Sequence, residues 1–293
     1  MPDINDLAAI DRHIGKATGQ AFTSLNAQAV GGGCINSAYT LSDTSRTFFV
    51  KLNHASQLDM FEAEAAGLND ILHSHSLHAP APLCHGIAAG EAYLVLEYLP
   101  LSGRGNSRRL GRELAQMHRS QRKHFGWHRD NTIGATPQIN TDEDNWARFW
   151  QRHRLAYQLQ LAARNGAHIG PQGEQLLTHI PEFFSGYQPP PSLLHGDLWS
   201  GNVAFIETGQ PVIFDPAVYY GDRETDLAMS ELFGGFPSDF YAAYNEAWPL
   251  DPGYTTRKTL YNLYHILNHF NLFGGGYLQQ AQRMIAQLLS EVR

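Results

Sequence analysis

A chain of 293 residues can form one large domain or two lobes with a real core. Hydrophobic residues make up 43% and charged residues 17%, which are globular values and exclude a disordered or fibrous chain. Its 21 basic and 28 acidic side chains leave a formal charge of −7, which argues against nucleic acid as the main partner, because phosphate binding needs a basic surface.

The opening stretch MPDINDLAAIDRH lacks the basic-then-apolar pattern of a signal peptide. No run of about 18 apolar residues is present, so no membrane span is expected. A helix is predicted over 3–16, with Leu7, Ile10 and Ile14 on one side. Three strands follow at 24–30, 37–42 and 47–53, joined by the turn-like GGGCIN and DTSR. MFEAEAAGLNDIL (60–72) reads as a helix with Phe61, Ala65, Leu68 and Leu72 on one face, and EAYLVLEYL (91–99) as another strand. Pro100 and the stretch 102–105 look like a linker. The basic segment RGNSRRLGR (104–112) reads as a solvated loop and helix start rather than an anion site. Beyond it, helices are predicted over 107–119, 141–165, 224–247 and 256–292, with short strands around 192–215. The stripe Trp146, Phe149, Trp150, His153, Tyr157 and Leu161 has helical spacing and reads as core.

Four features in fixed order carry chemistry. GGGCINSAY (31–39) lies between two strands, where glycines let backbone amides close on an anion; a plain hairpin turn is the competing reading. Lys51 lies inside the apolar strand FFVKLN, where a buried lysine needs an anionic partner unless it snorkels at an edge. Glu64 on the next helix can supply that partner, or it belongs to a solvated face. Fourth is the pair of loops LLHGDLWSGNVAF (193–205) and IFDPAVYYGDRETDLA (213–228). Asx turns would account for each polar residue singly. Yet Asp197 and Asn202 stand five apart, as in the catalytic signature H-x-D-x-x-x-x-N, and Asp215 follows thirteen residues later. An amide and a carboxylate from different loops can hold Mg2+, a hard cation that prefers oxygen, leaving Asp197 to orient a substrate hydroxyl. Phosphoryl transfer asks for this set: an amide cradle, a lysine on the phosphates, metal ligands and a positioned base.

The chain resembles the fructosamine kinase (ketosamine-3-kinase) family, within the protein-kinase-like fold shared with aminoglycoside and choline kinases. LLHGDLWSGN with DPAVYYGDRETDLAMSELFGGF carries the resemblance. GGGCIN, FVKLN with MFEAE, FGWHRDNTIGATPQIN (125–140) and YNLYHILNHFNLFGGGY (261–277) extend it over nearly the whole chain. Two departures stand out: Asn36-Ser37 replaces the last glycine of a G-x-G-x-x-G loop, and Gly196 stands where protein kinases carry Arg. The resemblance implies an α+β, two-lobed fold: a β-rich nucleotide-binding lobe with one long helix over 1–99, a linker at about 100–105, and a mostly α catalytic and substrate-binding lobe over 100–293. It implies an enzyme that uses ATP and Mg2+. Asp197 would be the base, Asn202 and Asp215 the metal ligands, and Lys51, held by Glu64, the phosphate contact. Residues Gly31, Gly32, Gly33, Cys34, Ile35, Asn36 and Ser37 would cover the triphosphate, and Glu97 and Leu99 would present backbone groups to adenine. His195 and Asp226 would support the catalytic loop.

The same resemblance puts a ketosamine near Trp199, although that ring could instead only pack the loop. Substrates would be ribulosamine, erythrulosamine or fructosamine adducts, phosphorylated on the sugar O3, after which the amine is released. A kinase for an aminoglycoside or thiosugar, and a non-catalytic nucleotide-binding redox protein, are the rival readings. Similar cysteines in the family imply that Cys34 is redox-sensitive and can link two chains; an inert thiol is the alternative, and a monomer or a homodimer fits either. With only Cys34 and Cys84, no disulfide framework is expected, and a reducing cytoplasm is the default compartment. His73, His75, His78, Cys84 and His85 lack zinc-site spacing and read as a helix end and proline loop.

Overall fold

The computed structural model describes residues 4–31 and 36–292. In chain order the elements are α1 (Ile4–Thr18), β1 (Asn26–Val30), β2 (Ser37–Ser42), β3 (Thr47–His54), α2 (Leu58–His73), β4 (Pro82–Ala88), β5 (Glu91–Glu97), β6 (Leu101–Ser102), α3 (Ser107–His118), β7 (Asn131–Ile133) and β8 (Thr136–Gln138). Next come α4 (Trp146–Phe149), a π-helical stretch (Trp150–Ala156), α5 (Tyr157–Arg164), α6 (Pro171–His179), β9 (Ser192–Leu194), β10 (Val203–Ile206), β11 (Pro211–Ile213), β12 (Tyr219–Gly221), α7 (Glu224–Leu232), α8 (Ser238–Ala247), α9 (Tyr254–Phe273) and α10 (Tyr277–Glu291). No helix among the described residues is long and apolar enough to cross a membrane.

Two compact units emerge. The first is Met1–Gly105 with Ala204–Phe214. Its antiparallel sheet has the order β1-β2-β3-β5-β4. Side chains alternate along β3, so Phe48, Val50 and Leu52 enter a core with Ile10 and Ile14 of α1, while Lys51 points to the other face. β5 is buried from Ala92 to Leu96, which is why it reads as an unbroken apolar run. In α2, Phe61, Ala65, Leu68 and Ile71 form the inward stripe. The hairpin β10–β11 pairs with β6 and joins this unit, although it lies between Asn202 and Asp215 in sequence.

The second unit is Asn106–Val203 with Asp215–Arg293 and is mostly helical. Asn106 accepts the N–H of Arg109 at 3.0 Å and so starts α3. Several sequence boundaries move for physical reasons. The helix expected from 141 begins at Trp146, because Asn145 is extended (φ −121) and caps the N–H of Arg148 at 2.9 Å. Inside it the π-helical stretch turns less per residue, so the buried row steps by four through Trp146, Trp150, Arg154, Gln158 and Ala162, and His153, Tyr157 and Leu161 sit only half inside. Residues 224–247 form two helices because Gly234, Gly235 and Pro237 break the ladder. Residues 256–292 also split, at Gly274 and Gly275, both at positive φ. Of the helix end and proline loop expected over 72–86, residues 82–86 instead belong to strand β4, and 98–99 of the strand expected over 91–99 lie beyond the end of β5. The hairpin β7–β8 and helix α6 were not legible from periodicity.

Helix α3 packs closely on α8: a Cβ on Gly111 would stand 2.3 Å from the Phe240 carbonyl oxygen. Backbone blocks the way, so Gly111→Ala should cost about 1–3 kcal/mol, read as a lower urea midpoint with an unchanged slope. An unmoved midpoint would mean that the two helices separate freely.

Candidate active site

Within the first unit, Lys51 Nζ stands 2.6 Å from Glu64 Oε1. Strand alternation turns Lys51 away from the α1 core, and both side chains are nearly inaccessible. Asn36 Oδ1 accepts from Asn53 Nδ2 at 2.7 Å, which ties the start of β2 to β3 beside Lys51; Ser37 pairs with Leu52 in the same ladder. Glu97 closes β5, its N–H donating to Ala81 O at 2.8 Å, and Leu99 follows in irregular chain. Gly31 is exposed and open on its side-chain face. Gly32, Gly33, Cys34 and Ile35 lie outside the described residues, and with them the redox expectation for Cys34.

Within the second unit, the turn after β9 is fixed almost atom by atom. The His195 N–H donates to Asp226 Oδ2 at 2.7 Å and the Gly196 N–H to Asp226 Oδ1 at 2.9 Å. His195 Nδ1 accepts the Asp197 N–H at 3.2 Å, and His195 O accepts the Ala217 N–H at 2.8 Å. Asn202 Nδ2 donates to Asp197 O at 2.9 Å and lies 3.3 Å from Asp197 Oδ2. With its nitrogen so used, Asn202 keeps Oδ1 as the atom suited to a hard cation. Asp215 holds the left-handed backbone (φ 56), a region that Asp tolerates better than most residues. Gly196 is also left-handed (φ 83), and a Cβ there would stand 2.0 Å from Ala217 O. That contact is the physical reason for glycine where protein kinases carry Arg.

Charge follows the same geometry. Burial first, and the charge of Asp215 second, push the Asp197 carboxyl up to about 7, against the hydrogen bond from Asn202. Asp226 is 1% exposed, and burial opposes its charge. The hydrogen bond from His118, the nearby His195 and the Gly196 N–H outweigh that cost and hold it below the usual carboxylate range. Its place in the first turn of α7 adds the helix dipole.

Sequence reasoning missed His118 and its supports. His118 Nε2 lies 3.1 Å from Asp226 Oδ2, and its Nδ1 2.8 Å from the Tyr244 hydroxyl. A carboxylate only accepts, so Nε2 carries the proton and Nδ1 accepts from Tyr244. Burial holds this imidazole neutral. Arg223 Nη1 in turn donates to the Tyr244 oxygen at 3.0 Å. Phe233 flanks Trp199, and His269 flanks Phe233 in turn. The Trp199 ring lies 6.4 Å from Phe233, and Phe233 lies 4.8 Å from His269. The Trp199 ring folds back over Gly201, where a Cβ would stand 2.3 Å away. The helical spacing of the LNHFNLF segment was the only available signal for His269. Of the histidines of 72–86, His73 ends α2, His75 lies in the turn after it, His78 makes an isolated bridge with Val212 and His85 lies in β4; among the described residues no group of three or more His, Cys, Asp or Glu is placed to hold a metal ion.

An Asp whose native pKa is depressed adds stability above its unfolded value, about 4, and loses it as pH falls through the lower native value. Asp226→Asn should therefore be destabilised by about 1–3 kcal/mol at pH 7, and its gap to wild type should narrow below pH about 4. Urea titrations across that range check the sign; a gap that stays constant would rule out an ionised Asp226.

A family profile described as Fructosamine kinase matches residues 7–291. The chain is 52% identical over 284 residues to the "Probable ketoamine kinase" of Synechocystis sp., covering 96% of each. It is 41% identical over 277 residues to the chloroplastic protein-ribulosamine 3-kinase of Oryza sativa subsp. japonica, covering 92% of this chain and 81% of the relative. Among solved structures, a candidate fructosamine-3-kinase from Haemophilus somnus 129PT matches with a TM-score of 0.90 at 31% identity, covering 96% of each chain. At low identity the likeness extends to aminoglycoside phosphotransferases and a choline kinase, which concerns the protein-kinase-like fold alone. The chain belongs to the fructosamine kinase family.

Proposed function

We propose that this protein is an ATP-dependent kinase that phosphorylates ketosamines on the sugar O3. The observation that carries the reading is the Asp197 turn: a carboxylate poised near neutral pH, anchored by Asn202, beside the charge of Asp215. A base with that affinity can take the proton of a sugar hydroxyl as the phosphoryl group transfers. Asn202 Oδ1 and the Asp215 carboxylate are hard oxygen donors, and the Asp215 charge, which after burial is the second cause that raises Asp197, is one that a divalent cation would relieve. Mg2+ bound there would neutralise phosphate charge as it develops. Lys51, aligned by Glu64, is assigned to the ATP phosphates, Gly31, Asn36 and Ser37 to the loop that covers them, and Glu97 and Leu99 to adenine.

Trp199, Phe233 and His269 form an aromatic row that starts two residues past the base. A flat ring suits the apolar face of a sugar and an attached amine. The relatives' names point to ketoamines, ribulosamine among them, so adducts of ribulose, erythrulose or fructose are the substrates assigned. A phosphate on O3 is a far better leaving group than hydroxide: loss of a C1 proton gives the enaminol, which expels phosphate from C3, and water then hydrolyses the resulting C1 imine and frees the amine.

Asp197→Asn should lose on the order of 10²–10⁴ in turnover while still binding MgATP. The assay is ATP consumption across free and protein-bound ketosamines, with mass detection of the 3-phosphate. Near-normal turnover would remove Asp197 as the base, and turnover of none of the ketosamines by wild type would refute the substrate class. Trp199→Ala should raise the ketosamine KM several-fold and leave the ATP KM within about twofold. Equal changes in both would make the ring a packing element.

A further inference from the structure

A cluster of buried amides lies under the Asp215 turn. Gln138 Nε2 donates to Ala217 O at 3.0 Å, and Asn131 Nδ2 donates to Val218 O at 2.8 Å. Gln138 Nε2 also reaches Asn131 Oδ1 at 2.9 Å, as does Asn140 Nδ2, at 2.9 Å. Asn131, Gln138 and Asn140 are all nearly inaccessible. At the far end stands Arg154 of the π-helical stretch, 0% exposed, donating to Asn140 Oδ1 at 2.8 Å and Ile139 O at 2.6 Å. Its guanidinium lies 4.1 Å from the Tyr219 ring centre and 4.7 Å from that of Phe149. Among the described residues it makes no salt bridge to a carboxylate, and its Nε lacks a partner.

We propose that Arg154, Asn140, Asn131 and Gln138 form a positioning relay that holds the Asp215 turn through the carbonyls of Ala217 and Val218. The bond directions at Asn140 and Asn131 follow from one residue. Arginine only donates, so Asn140 must present Oδ1 to it and Nδ2 to Asn131. Asn131 then presents Oδ1 inward and Nδ2 to Val218 O. Tyr264 donates its hydroxyl to Gln138 Oε1 at 2.8 Å, which leaves Gln138 Nε2 for Ala217 O. None of the three amides can flip without stranding a buried donor. Ala217 is where this matters: its N–H bonds His195 O, and its carbonyl abuts Gly196. The relay thus sets both the backbone that follows left-handed Asp215 and the turn that precedes Asp197. A buried guanidinium without a carboxylate is a poor source of stability, whereas a fixed donor pattern is what a positioning device needs. The π-helical geometry supplies the extra advance that brings Arg154 into the inward row.

This inference rests on the reading of Asp215 as a metal ligand, and the test separates the two. Gln138→Met keeps the bulk of the side chain and removes both donations. Tyr264→Phe removes only the hydroxyl that orients Gln138. Leu288→Ala, a core truncation in α10, controls for plain destabilisation. ADP is titrated by calorimetry at several Mg2+ concentrations, and hydrogen exchange of the Ala217 amide is followed in protein free of metal and nucleotide. In Gln138→Met the Mg2+ concentration that half-restores ADP affinity should rise about tenfold, with metal-free ADP affinity unchanged and Ala217 exchange faster. Tyr264→Phe should show a smaller shift in the same direction, and it decides the matter if Gln138→Met does not fold. Metal dependence and Ala217 protection no different from Leu288→Ala would overturn the relay. Wild-type metal dependence in Asp215→Ala would instead sink the metal assignment, and Ala217 exchange would then decide the relay by itself.

Discussion

The Asp226 carboxylate accepts two backbone N–H groups from the turn that carries Asp197, and a third hydrogen bond from the imidazole of His118. Those bonds hold a left-handed glycine and a half-buried carboxylate in one conformation, where a free loop would sample many. An ionised group this deep would be prohibitive without several donors, and they come from two places, the turn itself and α3, with the N-terminal dipole of α7 adding to them. Because α3 and α8 approach at Gly111, Tyr244 reaches His118, and the imidazole is fixed at both nitrogens.

The same economy recurs where charge is buried. Glu224 and Arg257 meet through two hydrogen bonds at 2.7 and 3.0 Å, with Asp251 as a further acceptor, and the neighbouring Asp222 takes hydroxyl donations from Tyr187 and Tyr261. Buried ion pairs seldom improve on apolar packing, so their value here lies in fixing geometry at the α7 terminus, from which Asp226 projects. Lys51 and Glu64 show the pattern in the first unit: the pair aligns one ammonium group on a strand whose opposite face is apolar core.

Much of this was legible from the chain. The alternation in TFFVKLN places Lys51 opposite the core, and the helix after it carries Glu64 at a reachable position. The spacing of Asp197 and Asn202 puts both in one turn, and the Asp197–Asn202 bond follows from it. The breaks inside the long C-terminal helices were written in Gly234, Gly235, Gly274 and Gly275, but helical periodicity masked them. The late start of α4 was written in Asn145, a capping residue indistinguishable by type from any other loop asparagine.

By itself, the sequence determined the kinase-like order of elements, the family and the identity of the acidic turn residues, because caps, periodicity and short motifs act over a few residues. Only the tertiary structure decided what holds those residues in place. His118 and Asp226 are 108 positions apart, Gln138 and Ala217 are 79 apart, and Tyr264 and Gln138 are 126 apart. No local pattern encodes such pairs, since any polar side chain on a helix or hairpin could as well face water. Their burial, and the need of each buried donor for an acceptor, arise only once helices and hairpins have packed.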